Sequence, residues 1–499
     1  MTPRPLASLL AGAGVTPRSM PSSDPPVKGL SSDSRRVASG DLFFALRGLK
    51  DDGVRHAGEA VARGAAAIVA ESKAPPGIGT EWVEVASARL AMGLVAREWF
   101  GRPDEAMTLV GVTGTKGKTT VTYLVESIAA AAGRRAGRIG TVGVAYGGRE
   151  TTAERTTPEA TDLYRLLAAM RDAGTDLVAM EVSSHALVLD RVAGARFTVA
   201  AFLNLGRDHL DFHGSPAAYF EAKALLFDRL RVGDTAVLSA DDEAHTALAA
   251  RTRGRVLTFG RSPGAAVWIS SERSGLDGSA LRLETPKGPL DLETPLPGPF
   301  NVMNAAAAAA CALALEVPPD AVATGIARVA RVPGRLEPVG SGQPFAVLVD
   351  YAHTEESLDA VLRAVRAITP GRLTVVFGCG GDRDRGKRPG MGRVAARLAD
   401  RVVLTSDNPR SEDPEAILRD VAAGALSEGR SRVTTVSDRA RAIATALGEA
   451  QAGDAVVIAG KGHETTQTFA DRVEPFDDRD VARRVLADLG YAGGRRADA

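Results

Sequence analysis

Gly111-Val-Thr-Gly-Thr-Lys-Gly-Lys-Thr-Thr120 is the stretch on which the reading of this chain turns. It closes a short apolar run and opens a long alanine-rich segment of helical pattern. Glycines let a backbone turn tightly enough for several N–H groups to converge on phosphate oxygens. The N-terminus of the following helix adds partial positive charge. In such a loop Lys118 neutralises the outer phosphates and the Thr119 hydroxyl binds Mg²⁺, with Gly114, Thr115, Lys116, Gly117 and Thr120 completing the nucleotide cradle. The usual pattern carries a glycine five positions before Gly117, where this chain has Val112. A purely structural turn has no need of Lys118 and Thr119 together, so a nucleotide loop is the stronger reading.

Outward from this loop the same pattern recurs. Short β-branched runs at 108–113, 177–180, 198–203, 347–350, 373–377, 402–405 and 455–459 alternate with helical segments. Runs of that length predict parallel α/β sheets covered on both faces. Polar clusters follow the runs at 114–120, 181–185, 204–213, 350–354, 378–388, 406–414 and 460–464. Open α/β sheets bind ligands at that carboxyl edge. Any one cluster is also what a polar loop gives; seven in succession point to a site. Boundaries near 101–104 and at the Pro-Gly pair of 332–334 divide the chain into three domains, 1–104, 105–333 and 334–499.

Composition excludes other classes. Lys+Arg and Asp+Glu both number 61, so no bulk field favours nucleic acid or an anionic membrane, and a polyanionic ligand needs a local site. Two cysteines, Cys311 and Cys379, lack metal-ligand spacing, and Cys311 reads as a small buried hydrophobe. The first fifteen residues are too weakly apolar for an export signal, and no stretch has transmembrane length. A cytoplasmic monomer acting on small molecules, with no nucleic-acid partner and no membrane insertion, is the expectation, and a frayed tail at 493–499.

The loop Thr113-Gly-Thr-Lys-Gly-Lys-Thr-Thr120 resembles that of the Mur ligases, the amide ligases that build the peptidoglycan stem peptide. Met180-Glu-Val-Ser-Ser-His-Ala-Leu187, Arg207-Asp-His-Leu-Asp-Phe-His-Gly214, Asp350-Tyr-Ala-His-Thr354, Gly378-Cys-Gly-Gly-Asp-Arg-Asp384, Asp407-Asn-Pro-Arg410 and Gly460-Lys-Gly-His-Glu464 follow in the family's order. The set is most similar to the members that add the third residue of the stem. The resemblance implies an N-terminal α/β domain for the UDP-sugar, a central P-loop domain with a mainly parallel sheet, and a C-terminal Rossmann-like domain for the amino acid.

It also implies roles. Glu181, His209 and Lys223, the last as a carbamate, would join Thr119 as magnesium ligands, with Lys118, Lys223, Glu181 and His209 forming the catalytic set. Without the resemblance Lys223 reads as a surface helical lysine. Asn304, Arg335 and His353 would contact ATP, although Asn304 also suits a cap for the alanine-rich helix. Ser34, Thr156, Thr157, Ser184 and Arg191 match positions that hold the UDP-sugar peptide. The family's His-Gln stretch of the uridine pocket is replaced by Gly48-Leu-Lys-Asp51, and the Pro that normally follows Thr354 is Glu355, altering only a helix start.

Third-residue enzymes divide between meso-diaminopimelate and L-lysine, which differ by one distal carboxylate. An arginine fork suits a carboxylate and repels an ammonium. Arg410 in its Asn-Pro turn supplies one fork and Arg383 another, with Asp407, Asn408, Pro409, Gly460 and Glu464 lining the remainder. The expected reaction is ATP-driven acyl-phosphate formation followed by amine attack, with the domains closing to exclude water. A lysine-adding or folylpolyglutamate-type ligase and a P-loop nucleotide switch stay open as alternatives.

Overall fold

The computed structural model describes residues 2–19, 21–48, 51–429 and 431–491. The expected frayed tail at 493–499 lies outside them. The chain forms two compact units, one of residues 1–259 and 307–322, the other of residues 260–306 and 323–499.

After a short antiparallel pair, Arg4–Pro5 with Pro26–Val27, the first unit sets four parallel strands, Gly29–Ser31, Asp41–Phe44, Ala67–Ala70 and Glu81–Glu84, adjacent in that order. Alternate residues face two cores: Leu42 and Phe44 join one, Phe43 and Ala45 the other. Next comes a larger sheet in which six strands run parallel: Ala136–Ile139, Leu177–Glu181, Thr108–Thr113, Val199–Phe202, Thr235–Ser239 and Arg255–Gly260. Val144–Tyr146 and Arg149–Thr151 extend it antiparallel as a hairpin at one edge. Thr108–Thr113 lies between two neighbours, so the loop that leaves it sits mid-edge.

The second unit carries an antiparallel trio, Val267–Gly275, Gly278–Glu284 and Leu290–Thr294. The sequence reading had no strands there. Gly278–Glu284 is alternately buried, as a sheet with one wet face requires. Five parallel strands, Ala346–Asp350, Ala455–Ala459, Leu373–Phe377, Arg401–Leu404 and Arg432–Thr435, then form a sheet with antiparallel Glu337–Pro338 at its edge. Ala455, Val457 and Ala459 face a core with helices Glu355–Ile368, Lys387–Leu398 and Pro414–Leu426. Val456 and Ile458 face the helices Arg439–Gly448 and Asp478–Asp488. Burying both sides of one strand is why it reads as an unbroken apolar run, each large side chain contributing about 1.5–3 kcal/mol.

Glu355 takes the first position of its helix behind a Thr354–Ser357 capping box, so the helix start is conventional. Cys311 is fully buried within helix Pro299–Ala314.

Candidate active site

The phosphate loop is bent by Gly117, whose φ of 89° is open to glycine and strained for other residues, and helix Lys118–Ala131 starts directly after it. Lys118 Nζ donates to the carbonyls of Gly114 (2.8 Å) and Thr115 (3.1 Å). Lys223, from helix Pro216–Asp228, reaches the same Gly114 carbonyl at 3.0 Å while only 1% exposed. Two lysine nitrogens thus converge on one backbone oxygen. Burial, and then the Lys118 charge, push the Lys223 amine well below its ordinary value.

Two residues that the sequence reading missed brace this loop. Asn204 accepts from the backbone N–H groups of Thr115 (3.1 Å) and Lys116 (2.9 Å) through Oδ1. Tyr219 meets the Thr115 hydroxyl at 3.2 Å and has Lys223 Nζ 4.3 Å from its ring centroid. Lys116 is exposed, 4.0 Å from Asp208. Thr119 and Thr120 are buried in the first helical turn.

On the neighbouring strand end, Glu181 is 1% exposed and accepts from the Thr141 amide (2.8 Å) and hydroxyl (3.1 Å). Thr141 meets Thr156 at 3.0 Å, and the Thr157 hydroxyl donates to the Glu181 carbonyl at 2.8 Å. Arg191 donates to the Thr157 carbonyl and pairs with Glu159. Thr156, Thr157, Glu181 and Arg191 therefore form one connected patch, with Thr141 as an unforeseen link. Ser184 is buried and 3.0 Å from His213 Nε2, and His185 meets His209 edge to face, ring centroids 4.7 Å apart. His209 has φ 54°, a strained conformation, and burial lowers its pKa, favouring the neutral ring that coordinates metals. Among the described residues no group of three His, Cys, Asp or Glu side chains could hold a metal by itself.

In the second unit, Asp407, Asn408, Pro409 and Arg410 leave one strand end and Gly460 to Glu464 leave another. Asn408 Nδ2 donates to Glu464 Oε2 at 2.8 Å. Gly460 has φ 111°, and a Cβ there would stand 2.5 Å from the Asp407 carboxylate, so only glycine fits. Arg410 (φ 53°) donates to the Gly381 carbonyl at 2.7 Å, which turns its guanidinium toward the loop that bears the exposed Arg383. Behind them Arg439, fully buried with Asp478, donates to the carbonyls of Ser406 (3.3 Å) and Ala459 (3.0 Å), tying the two strand ends together.

Arg335 lies 5.2 Å from the Tyr351 ring, and His353 donates from Nδ1 to the Tyr351 carbonyl at 2.7 Å. Asn304 lies inside helix Pro299–Ala314 and donates to Asn301 at 2.9 Å. The capping alternative for it is therefore set aside. In the first unit Ser34 is buried and its hydroxyl donates to Glu59 at 2.7 Å. Leu49 and Lys50, the departure in the uridine stretch, lie outside the described residues. A cavity of about 360 Å³ flanks the Ser34 loop, lined by Ser32, Asp33 and Arg36 on one side and Thr161, Asp162 and Arg165 on the other.

Residues 26–99 match the Mur ligase family catalytic domain, 112–312 the Mur ligase middle domain, and 334–462 the Mur ligase glutamate ligase domain. A UDP-N-acetylmuramoyl-L-alanyl-D-glutamate--2,6-diaminopimelate ligase of Solibacter usitatus (strain Ellin6076) is 47% identical, over 98% of this chain and 97% of that protein. One of the same name from Geobacillus kaustophilus (strain HTA426) is 48% identical, over 94% and 96%. A solved structure of a ligase with that name superposes with a TM-score of 0.69 at 34% identity, covering 93% of this chain and 96% of its own. The chain belongs to the Mur ligase family.

Proposed function

We propose that the chain is the ATP-dependent ligase that joins meso-diaminopimelate to the D-glutamyl carboxylate of UDP-N-acetylmuramoyl-L-alanyl-D-glutamate, a step of peptidoglycan synthesis. A carboxylate oxygen attacks the γ-phosphorus of ATP and ADP leaves. The amine of diaminopimelate then attacks the acyl carbon of the resulting acyl phosphate. The tetrahedral intermediate loses phosphate, which carries away the carboxylate oxygen, and the amine proton passes to solvent or a nearby base.

The chain's part is positioning and charge neutralisation. Lys118 would leave the Gly114 carbonyl for the phosphates, while Asn204 would keep the loop in the shape that receives them. Thr156, Thr157, Ser184 and Arg191 would align the sugar peptide, with Ser34 at its uridine end. Asn304, Arg335 and His353 would hold the nucleotide.

Mg²⁺ fits the donor set. A lone buried carboxylate, Glu181, beside a phosphate cradle is how this cation binds when phosphates supply most of its oxygens. Thr119, His209 and a carbamylated Lys223 would complete its protein ligands. When bound, the ion neutralises charge on the transferring phosphoryl group. A deprotonated amine is the form that adds carbon dioxide, so the lowered pKa of Lys223 supports the carbamate.

One observation carries the choice of amino acid. Arg410 is held by the Gly381 carbonyl and Glu464 by Asn408, on loops that leave two strand ends of one sheet, and together they would offer a cation for a distal carboxylate and an acid for a distal ammonium. Lysine lacks the carboxylate and would leave Arg410 facing its ammonium. With domain limits at 1–104, 105–333 and 334–499, we place the enzyme in the cytoplasm as a monomer. Among the described residues no helix is long and apolar enough to cross a membrane. A heavy-oxygen label in the D-glutamyl carboxylate tests the route. Label recovered in inorganic phosphate is expected; label retained wholly in the peptide product would refute an acyl phosphate.

A further inference from the structure

The amino-acid pocket holds a lysine to which no step above gives a role. Lys461 is 0% exposed. Its ammonium donates to the Thr466 carbonyl at 2.6 Å and to Asn408 Oδ1 at 3.2 Å, and stands 3.4 Å from Glu464 Oε2. An ammonium can only donate, and so can the Thr468 N–H, 3.0 Å from the same Asn408 oxygen. Together they settle the orientation of the Asn408 amide, whose NH₂ must then face Glu464. Glu464 Oε2 therefore meets two donors, and Oε1 carries neither of these bonds.

A buried cation beside the acid is a poor arrangement for catching an ammonium. Taking Lys461 out of water is costly, and its field offsets much of the attraction Glu464 exerts on a second cation. The arrangement makes sense if a lone ammonium is the ligand to be refused. Diaminopimelate brings a distal ammonium and a distal carboxylate, and only the latter engages Arg410. Lysine brings the ammonium alone.

We propose that Lys461 is a specificity-determining positioning residue: acting through Asn408 and Glu464, it weakens the pull on a lone distal ammonium, so acceptance depends on a distal carboxylate reaching Arg410. This rests on the diaminopimelate reading of the pocket.

The test is steady-state kinetics of the full-length enzyme with meso-diaminopimelate and with L-lysine. Lys461→Met lowers the ratio of their kcat/KM values roughly tenfold, a change of one decade per 1.4 kcal/mol. It acts mainly through KM for the amino acids and leaves KM for ATP unchanged. Lys461→Gln removes the charge but keeps a donor, shifts the ratio in the same direction, and serves if the Met variant fails to fold. In a Glu464→Gln background Lys461→Met leaves the ratio where that background sets it. A wild-type ratio in both Lys461 variants overturns the proposal, as does a uniform loss across ATP and both amino acids. If Arg410→Ala also keeps the wild-type ratio, it is the diaminopimelate reading itself that falls.

Discussion

The phosphate loop and the amino-acid pocket both sit at the carboxyl ends of parallel strands, yet they handle charge in opposite ways. At the loop, the Lys118 ammonium and the N-terminus of its helix present positive charge where a polyanion is to arrive. On the loops of the amino-acid side, charges are interlocked: Lys461 with Glu464, and Glu412 with Arg385 and Arg388. The first arrangement attracts anything sufficiently anionic. The second compares ligands by the pattern of their charges. A ligase needs both, since ATP is abundant and easily told apart while amino acids of similar shape compete.

The comparison breaks most visibly at the loop. Lys118→Ala should lower kcat/KM by about a thousandfold, because charge developing on the transferred phosphoryl group loses its fixed counter-charge. Single-turnover phosphate transfer checks this. Arg410→Ala comes next, lowering kcat/KM for diaminopimelate about a hundredfold while KM for ATP stays put, since a desolvated charge pair costs several kcal/mol to break. Equal damage to both substrates would erase the division between the regions. Asn204→Ala sharpens the contrast on the loop side. It frees the Thr115 and Lys116 amides from their side-chain acceptor and lets the loop sample other shapes, raising KM for ATP roughly tenfold.

The smallest effect concerns pH. Burial, and then the charges of Arg335 and Arg479, hold His463 at about 4, below an ordinary value of 6.5. On acidification the unfolded chain binds this proton first. The stabilisation is therefore whole above pH 6.5 and is lost as the pH falls toward 4. His463→Phe should flatten that part of the stability–pH curve by about 1 kcal/mol, after allowance for solvent screening, as chemical unfolding at each pH would reveal.

The strands of the parallel sheets were legible because burial on both faces writes a continuous β-branched run, as at Thr108–Thr113 and Ala455–Ala459. The short antiparallel additions were not. Val144–Tyr146 and Arg149–Thr151 hold three residues each, too few for a period to show. Within the candidate site, residues in compact motifs announced themselves, since Lys118 and Arg410 each sit among glycines or an Asn-Pro turn. Tyr219 did not, because its partner Thr115 lies 104 positions away and nothing in its own surroundings marks it. Lys461 stood inside a quoted motif and was still passed over. Its role lies in three contacts, with Asn408, Glu464 and Thr466, and the Asn408 contact spans 53 positions.

Phosphate release from ATP in the presence of the UDP-sugar dipeptide, with meso-diaminopimelate, with L-lysine and with no amino acid, tests the central claim most directly. The account predicts sustained release with diaminopimelate, far less with lysine, and almost none without an amine. Equal release in all three would mean a nucleotide hydrolase, and would contradict it.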